Sequence, residues 1–332
     1  MQGDHCPNVR LVSGLQSGAR RAILAPAGSG VPFACARCGA ELNPAEEALT
    51  CSGCGTRFPL VGNIPVLSAL EDENPAEDYK RRQIEFFDGE AAEFEIMRPH
   101  GQPRLYRWLM AEKFRRSIRG IESHLSGATV LTVCGGSGMD AEFLVRRGAS
   151  VIASDLSLGA AQRAAERGRR LGLAIQAVVA DVEHLPFPDR SIDIVYVHDG
   201  LHHLSDPLVG LAEMCRVARH CVALTEPSRA AVTALAVRVG LSISEEEAGN
   251  RVERMSAQDI RVCLTDHGLR VVGVDRYAMY YQHKPESCMR FFSRRRSFRL
   301  ARLAVSLFNL ILGPIGNKLS VRGMRTLPTP GR

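Results

Sequence analysis

Three groups of residues in this chain have types and spacings that could do chemistry. The first is a pair of cysteine knuckles, Cys35-x-x-Cys38 and Cys51-x-x-Cys54, 12 residues apart and each followed by a glycine. Tight turns of this kind aim backbone amides at thiolate sulfur and place four ligands tetrahedrally, so the spacing predicts a zinc ribbon. Protein sulfur would fill all four positions, which makes the expected Zn2+ structural. A segment of about 40 residues has too little core to stand alone, so the metal would stabilise it.

The second group is Cys134-Gly135-Gly136-Ser137-Gly138, which follows the apolar run 128–133. Glycines there let the backbone turn tightly and let a ligand approach. Asp155 closes the next apolar run, 19 residues after Gly136, and Asp181 closes the one after that. On the carboxyl edge of a parallel sheet, Asp155 could accept both hydroxyl hydrogens of a ribose, and Asp181 could accept from an adenine amine. Residues 136–141 also fit the dinucleotide fingerprint G-x-G-x-x-[GA], so this turn alone leaves NAD and S-adenosylmethionine both open. The third group is His198-Asp199-Gly200-Leu201-His202-His203.

These residues need a scaffold. From residue 126 short apolar runs alternate with helical stretches. Strands are expected at 128–133, 150–153, 175–179, 192–197 and 221–225, with late strands at 271–274 and 319–321, and a helix at 158–171. Short buried runs between helices predict an α/β fold, a Rossmann-like doubly wound seven-stranded sheet with helices on both faces. The expected division is a mobile tail (1–31), the ribbon (32–67), an acidic linker (68–78), a helical cap segment (79–121) broken at Pro99 and Pro103, and a catalytic domain (122–332) with an insertion at about 283–315.

Beyond the glycine turn the chain resembles the class I S-adenosylmethionine-dependent methyltransferases, in their small-molecule branch (methyltransferase domain type 11). The resemblance lies in residues 130–138 (VLTVCGGSG), 153–157 (ASDLS), 180–207 (ADVEHLPFPDRSIDIVYVHDGLHHLSDP) and 213–219 (EMCRVAR). It implies S-adenosyl-L-methionine as cofactor, with Asp155 on its ribose, Asp181 near its adenine and Cys134, Gly135, Gly136 and Gly138 against its amino-acid end. Leu156, Val182 and His198 complete the expected cofactor site. Two positions depart from the family. Its acidic residue in the first strand is Thr132 here, so a contact to the cofactor's ammonium must be weaker or come from elsewhere. Its first turn glycine is Cys134. Residues 58–67 (FPLVGNIPVL) resemble the small zinc-ribbon domain that activates tRNA and protein methyltransferases.

Methyl transfer from a sulfonium is an in-line displacement, and a hydroxyl acceptor must also lose a proton. The resemblance puts the segment after the fourth strand opposite the transferable methyl, so His202 and His203 are the candidate bases. The same pair can equally serve as a packing element. The acceptor pocket is expected from segments 79–121 and 283–315.

Composition narrows the acceptor. The net charge of +6 is spread along the chain and is weak evidence for nucleic acid. Four lysines (Lys80, Lys113, Lys284, Lys318) stand against 38 arginines, too few to suggest a lysine-dependent RNA methylation centre. No Asn-Pro-Pro-Tyr-like segment follows the fourth strand, so a nucleobase amine is not indicated. The expected acceptor is a natural product or lipid-linked small molecule methylated at oxygen. An rRNA methyltransferase docking RNA with its ribbon, or a degenerate scaffold, are the other readings. Scattered thiols and the lack of a recognisable signal peptide predict a cytoplasmic protein. The apolar run 303–312 is too short to span a bilayer. With the arginines before it, segment 290–312 could touch an anionic membrane peripherally, although a helix packed on the domain with its arginines in water is the favoured expectation.

Overall fold

The structure is a computed structural model and describes residues 31–70, 74, 77–90, 92–229, 252–279, 284–285 and 287–325. The expected tail, residue 31 apart, and part of the acidic linker lie outside them.

The elements run β1 (Leu42–Ala45), β2 (Ala48–Cys51), β3 (Arg57–Val61), β4 (Ile64–Pro65), α1 (Asp78–Asp88), α2 (Ala92–Met97), α3 (Arg104–Ser117), β5 (Thr129–Val133), α4 (Met139–Val145), β6 (Ser150–Asp155), α5 (Leu158–Leu171) and β7 (Ile175–Val179). They continue with β8 (Ile192–His198), α6 (Pro207–Val217), β9 (Ala218–Pro227), α7 (Ala257–Asp266), β10 (Leu269–Tyr277), α8 (Ser287–Phe291), α9 (Arg295–Leu312) and β11 (Lys318–Arg325). Strands β5 to β11 form one seven-stranded sheet in the order β10-β11-β9-β8-β5-β6-β7. The five strands from β9 to β7 are parallel, and β11 alone runs against them, pairing antiparallel with β9 on one side and with the edge strand β10 on the other. All five residues of β5 are buried, as expected of a central strand covered on both faces. Phe114 of α3 and Phe143 and Leu144 of α4 cover one face. Leu211 and Met214 of α6 and Ile260 and Leu264 of α7 cover the other.

Local chemistry sets the helix ends. The Ser157 hydroxyl accepts from the Ala160 amide, and Gly172 ends α5 in the left-handed region at φ 63°. Asp206 caps α6 in the same way, with Pro207 at its first position. The cap segment forms three helices, and Pro103 precedes α3.

The cysteine segment does not stand apart from the sheet. Strands β1 to β4 form an antiparallel meander, and its end lies along the β7 edge. Val66 pairs in parallel with Val179, and the Leu67 amide donates to the Val179 carbonyl at 2.8 Å. The Ala34 amide donates to the Pro186 carbonyl, and the Phe33 and Phe187 rings lie 5.5 Å apart. Leu42, Leu49 and Phe58 belong to the same apolar cluster as Leu131 and Val195 of the central strands.

The insertion between β10 and β11 carries α8 and α9. Helix α9 turns Phe298, Ala301, Val305 and Asn309 inward, and the Asn309 amide pairs with both the N–H and the carbonyl of Ala278. Its arginines are in water, as expected. Its outer face is apolar as well: Leu300, Leu303, Leu307, Leu310 and Ile311 are all exposed, Leu310 by 77%. Helix and following turn, Arg295–Ile315, span 21 residues and contain an 18-residue window of mean hydropathy 1.4, which by length and composition alone is enough to cross a membrane, contrary to the expectation from the run 303–312. The short run read from the sequence therefore understates the element, because helical periodicity adds Leu300 to that run's face.

Candidate functional site

The strand order reverses between β5 and β8, and a crevice opens there at the carboxyl ends of the strands. It is a cavity of about 850 Å³, bounded by α1, the end of α2, the C-terminal part of α3 (Lys113 and Phe114), the turns after β5, β6, β7 and β8, and residues near Met279 and Lys318. Pockets of this size hold a drug-sized ligand or more.

The glycine turn forms the near wall. Cys134 has φ 50° and Gly136 φ 51°, so the chain bends through the left-handed region twice in three residues. A side chain on Gly135 would come within 2.9 Å of the Thr132 hydroxyl. The Cys134 side chain in turn packs on Gly200, where an added Cβ would lie 2.4 Å away. Cys134 thus holds the β5 and β8 turns together, and burial pushes its thiol well above the ordinary range, which makes it inert.

Asp155 accepts the Gly136 amide on one oxygen and the Ser157 amide on the other, each at 2.9 Å. One lone pair on each oxygen remains for a vicinal diol. Burial raises its pKa. Asp181 accepts the Glu183 amide on Oδ1 and meets Lys80 of α1 on Oδ2 at 2.5 Å. Burial pulls the Asp181 pKa up, but His184 and Lys80 outweigh it and hold it low. Cys134, Gly135, Gly136, Asp155, Leu156, Asp181, Val182 and His198 all line the cavity. Gly138 stands behind the wall as the N-cap of α4, packed on Ala164.

His202 and His203 also line the cavity, with rings 4.2 Å apart. They are not equivalent. His202 Nδ1 lies 2.8 Å from Oε2 of Glu226, while Oε1 of that carboxylate accepts the Gly200 and Leu201 amides. A carboxylate so fixed orients the imidazole and favours Nδ1–H. The His203 ring instead packs edge-on against Phe87, and its carbonyl accepts from Gln83 of α1.

Several site residues escaped the sequence reading. Glu226 lies at the carboxyl end of β9, and the edge rule that picked out Asp155 and Asp181 also reaches it; the strand was expected to stop at residue 225. Asp140, in the first turn of α4, is buried against the cavity, and burial pushes its carboxyl up to about 7. Lys113 and Lys318 meet on Asp199, at 2.9 Å and 2.7 Å. Lysine is scarce in the chain, which speaks against a lysine-dependent RNA methylation centre, yet all four lysines line this cavity. The acceptor side does draw on the cap segment. From the insertion it takes Lys284 at one end but none of the described α8 or α9 residues.

The four knuckle cysteines come together on the ribbon. Cys35 and Cys54 sulfurs are 3.7 Å apart, Cys38 and Cys51 sulfurs 3.4 Å, and all four lie within 4.8 Å of one another. A tetrahedron with Zn–S bonds of about 2.3 Å has edges of about 3.8 Å, so the sulfurs fit zinc. Amides of Arg37, Gly53 and Cys54 point at sulfur, and Gly39 and Gly55 take φ near 75°.

Residues 131–221 match a family described as a methyltransferase domain. Demethylmenaquinone methyltransferase of Thermobifida fusca is 40% identical over 95 residues, 28% of this chain and 40% of that protein. The ubiquinone/menaquinone biosynthesis C-methyltransferase of Stenotrophomonas maltophilia is 37% identical over 98 residues, 28% of this chain and 39% of that protein. The match thus spans about two fifths of the length of these curated relatives. Magnesium protoporphyrin IX methyltransferase of Synechocystis PCC 6803, solved with bound SAH, superposes with a TM-score of 0.50 at 14% identity, over 75% of this chain and all of that one. The Rossmann-like methyltransferase fold is thereby established for the catalytic sheet.

Proposed function

We propose that this chain transfers a methyl group from S-adenosyl-L-methionine to a lipophilic small molecule at the cytoplasmic face of a membrane. The observation that carries the reading is one cavity at the sheet's switch point, with Asp155 fixed by the glycine turn at one end and an oriented histidine at the other. Asp155 would bind the ribose hydroxyls and Asp181 the adenine edge. Leu156 and Val182 would flank the base, and Gly135 and Gly136 would lie against the amino-acid end. Thr132 has a buried hydroxyl with no partner, and Asp140 takes the place of the missing acid for the cofactor's ammonium. The cofactor supplies an electrophilic methyl. The protein's part is to align the acceptor, exclude water under α1, and take up a proton at His202, with Glu226 stabilising the imidazolium.

The sequence favoured oxygen as the acceptor atom. One relative is named a C-methyltransferase and another acts, by its name, on demethylmenaquinone, and we take a ring carbon of a quinol-like acceptor as the target. Zinc on Cys35, Cys38, Cys51 and Cys54 is structural in this account. Segment 290–312 is the membrane contact: its exposed leucines lie beside Arg295, Arg299 and Arg302, and residues 287–317 include no acidic side chain. Such a face suits an anionic bilayer surface.

The test is methyl transfer to a short-chain hydroquinone carried in vesicles containing phosphatidylglycerol, with the product's methyl located by NMR. A C-methyl product, lost together with vesicle binding when Leu303, Leu307 and Leu310 become serine, is expected. Methylation of ribosomal RNA instead, or no transfer to any quinol, overturns the reading.

A further inference from the structure

The distribution of cations marks a second ligand site at the acceptor end of the cavity. All four lysines of the chain line this cavity, whereas among its described lining residues Arg98 is the one arginine, in a chain with 38 of them. An ammonium is a compact charge with three donors that can crowd a single oxygen, which the planar guanidinium fork does less well. Lys80 is taken up by Asp181 and Glu183. Lys113, from α3, and Lys318, from β11, converge on Asp199, one on each carboxylate oxygen. Two ammonium groups thus meet on one carboxylate at this end of the cavity.

A second observation points to the same spot. The His198 side chain is 2% exposed, and its Nε2 has no hydrogen-bond partner. It lies 3.7 Å from Oδ2 of Asp199, the oxygen that Lys113 holds. The other ring nitrogen ends a buried chain: Ser117 Oγ donates to the Phe114 carbonyl at 2.7 Å, lies 2.6 Å from the Tyr196 hydroxyl, and that hydroxyl lies 3.1 Å from His198 Nδ1. All three contacts are satisfied together when Ser117 gives its proton to the carbonyl, Tyr196 gives its proton to Ser117, and Nδ1–H donates to Tyr196. Nε2 is then a bare acceptor. A buried acceptor without a partner costs stability unless a ligand supplies the donor.

We infer that Lys113, Lys318 and His198 Nε2 form the binding site for an acidic hydroxyl of the acceptor, a phenol or enol, and hold it as its oxyanion. This rests on the reading of the cavity as a methyl-acceptor site. The hydroxyl donates to Nε2 and its oxygen accepts from the ammonium groups. Burial and the Lys113 and Lys318 charges hold the His198 imidazole well below its ordinary range, so when the O–H bond breaks it is the oxyanion beside it that keeps the proton on Nε2, while the electron pair stays on the oxygen facing the two ammonium groups. A phenolate carries extra electron density on its oxygen and on the ring carbons beside it, so the site activates either atom toward an electrophilic methyl. An acceptor without an acidic oxygen would leave Nε2 without a donor, and the site would reject it.

4-Nitrophenol, coloured only as its phenolate, tests this on the full chain saturated with S-adenosylhomocysteine. The expected result is saturable binding that raises the phenolate fraction at fixed pH, with 4-nitroanisole binding at least tenfold more weakly. Lys318→Met and Lys113→Met should each lose about tenfold in nitrophenol affinity, and Lys318→Arg should recover part of it. Calorimetry of S-adenosylhomocysteine on the same samples reports both folding and the cofactor reading. Normal cofactor binding with no nitrophenol binding, or with bound nitrophenol in its neutral form, overturns the oxyanion site and leaves the methyltransferase reading intact. Failure to bind S-adenosylhomocysteine overturns that reading instead.

Discussion

The Lys80 ammonium lies 2.5 Å from Oδ2 of Asp181 and also contacts Glu183, so the helix over the cavity is tied to the end of β7 by a buried ion pair. Removing the cation strands two carboxylates. Lys80→Met should therefore cost about 3–5 kcal/mol of stability near neutral pH. The folded-state pKa of Asp181 is lowered, so the pair's contribution is present above the ordinary carboxylate range and is lost as pH falls through the folded value. Urea unfolding of both proteins across pH should show the gap narrowing in acid. A gap independent of pH would contradict this account of the pair.

The ribbon should carry one zinc per chain. Metal analysis should return one equivalent, and Cys38→Ser should lose it. Because Leu42, Leu49 and Phe58 share the core of the central strands, chelation should lower the single thermal transition of the whole chain rather than create a separate early one. Protein purified without chelator that contains almost no zinc would refute the site.

Glu226 gives His202 its orientation. His202→Ala should lower turnover by roughly 10²–10⁴ with cofactor affinity nearly unchanged. Glu226→Gln should lower turnover and move the acid limb of the rate profile to lower pH, because the imidazolium loses its carboxylate. His203→Ala, which alters a ring packed on Phe87, should leave that limb in place. Near-normal turnover in both the His202 and Glu226 variants would mean the pair is structural.

Asp140 should report the cofactor's charge. Its carboxyl is pushed up to about 7 by burial, and an ammonium beside it would pull it down. Cofactor binding should release a proton near pH 7, and affinity should fall below that pH. Calorimetry in buffers of different ionisation enthalpy measures the release, and Asp140→Asn should abolish it. Equal heats in all buffers for the unmutated protein would exclude Asp140 from the ammonium site.

What the sequence makes legible follows from local rules. The buried strands and the α5 boundaries are visible because apolar runs, Ser157 and Gly172 act within a few residues. The cysteine knuckles are visible because metal geometry fixes their spacing. Asp155 and Asp181 stand at strand ends, which the period reveals. The partners of those residues are hidden for the opposite reason. Lys80 lies 101 positions from Asp181, and Lys318 lies 119 from Asp199. No periodicity connects them, and only the fold brings them together. The apolar outer face of α9 was half legible, since hydropathy shows the leucines but not which side of the helix the domain covers.

The central claim is that the cavity binds S-adenosylmethionine through Asp155, and calorimetric titration of the wild-type and Asp155→Ala proteins tests it most directly. The carboxylate is offered to two ribose hydroxyls by the Gly136 and Ser157 amides, and charge-assisted hydrogen bonds contribute about 1.5–3 kcal/mol each. The account predicts saturable binding by the wild type, at least tenfold weaker binding by the variant, and little change in its unfolding midpoint. Equal affinity in the two proteins, or tighter binding of NAD than of S-adenosylmethionine by the wild type, would contradict it.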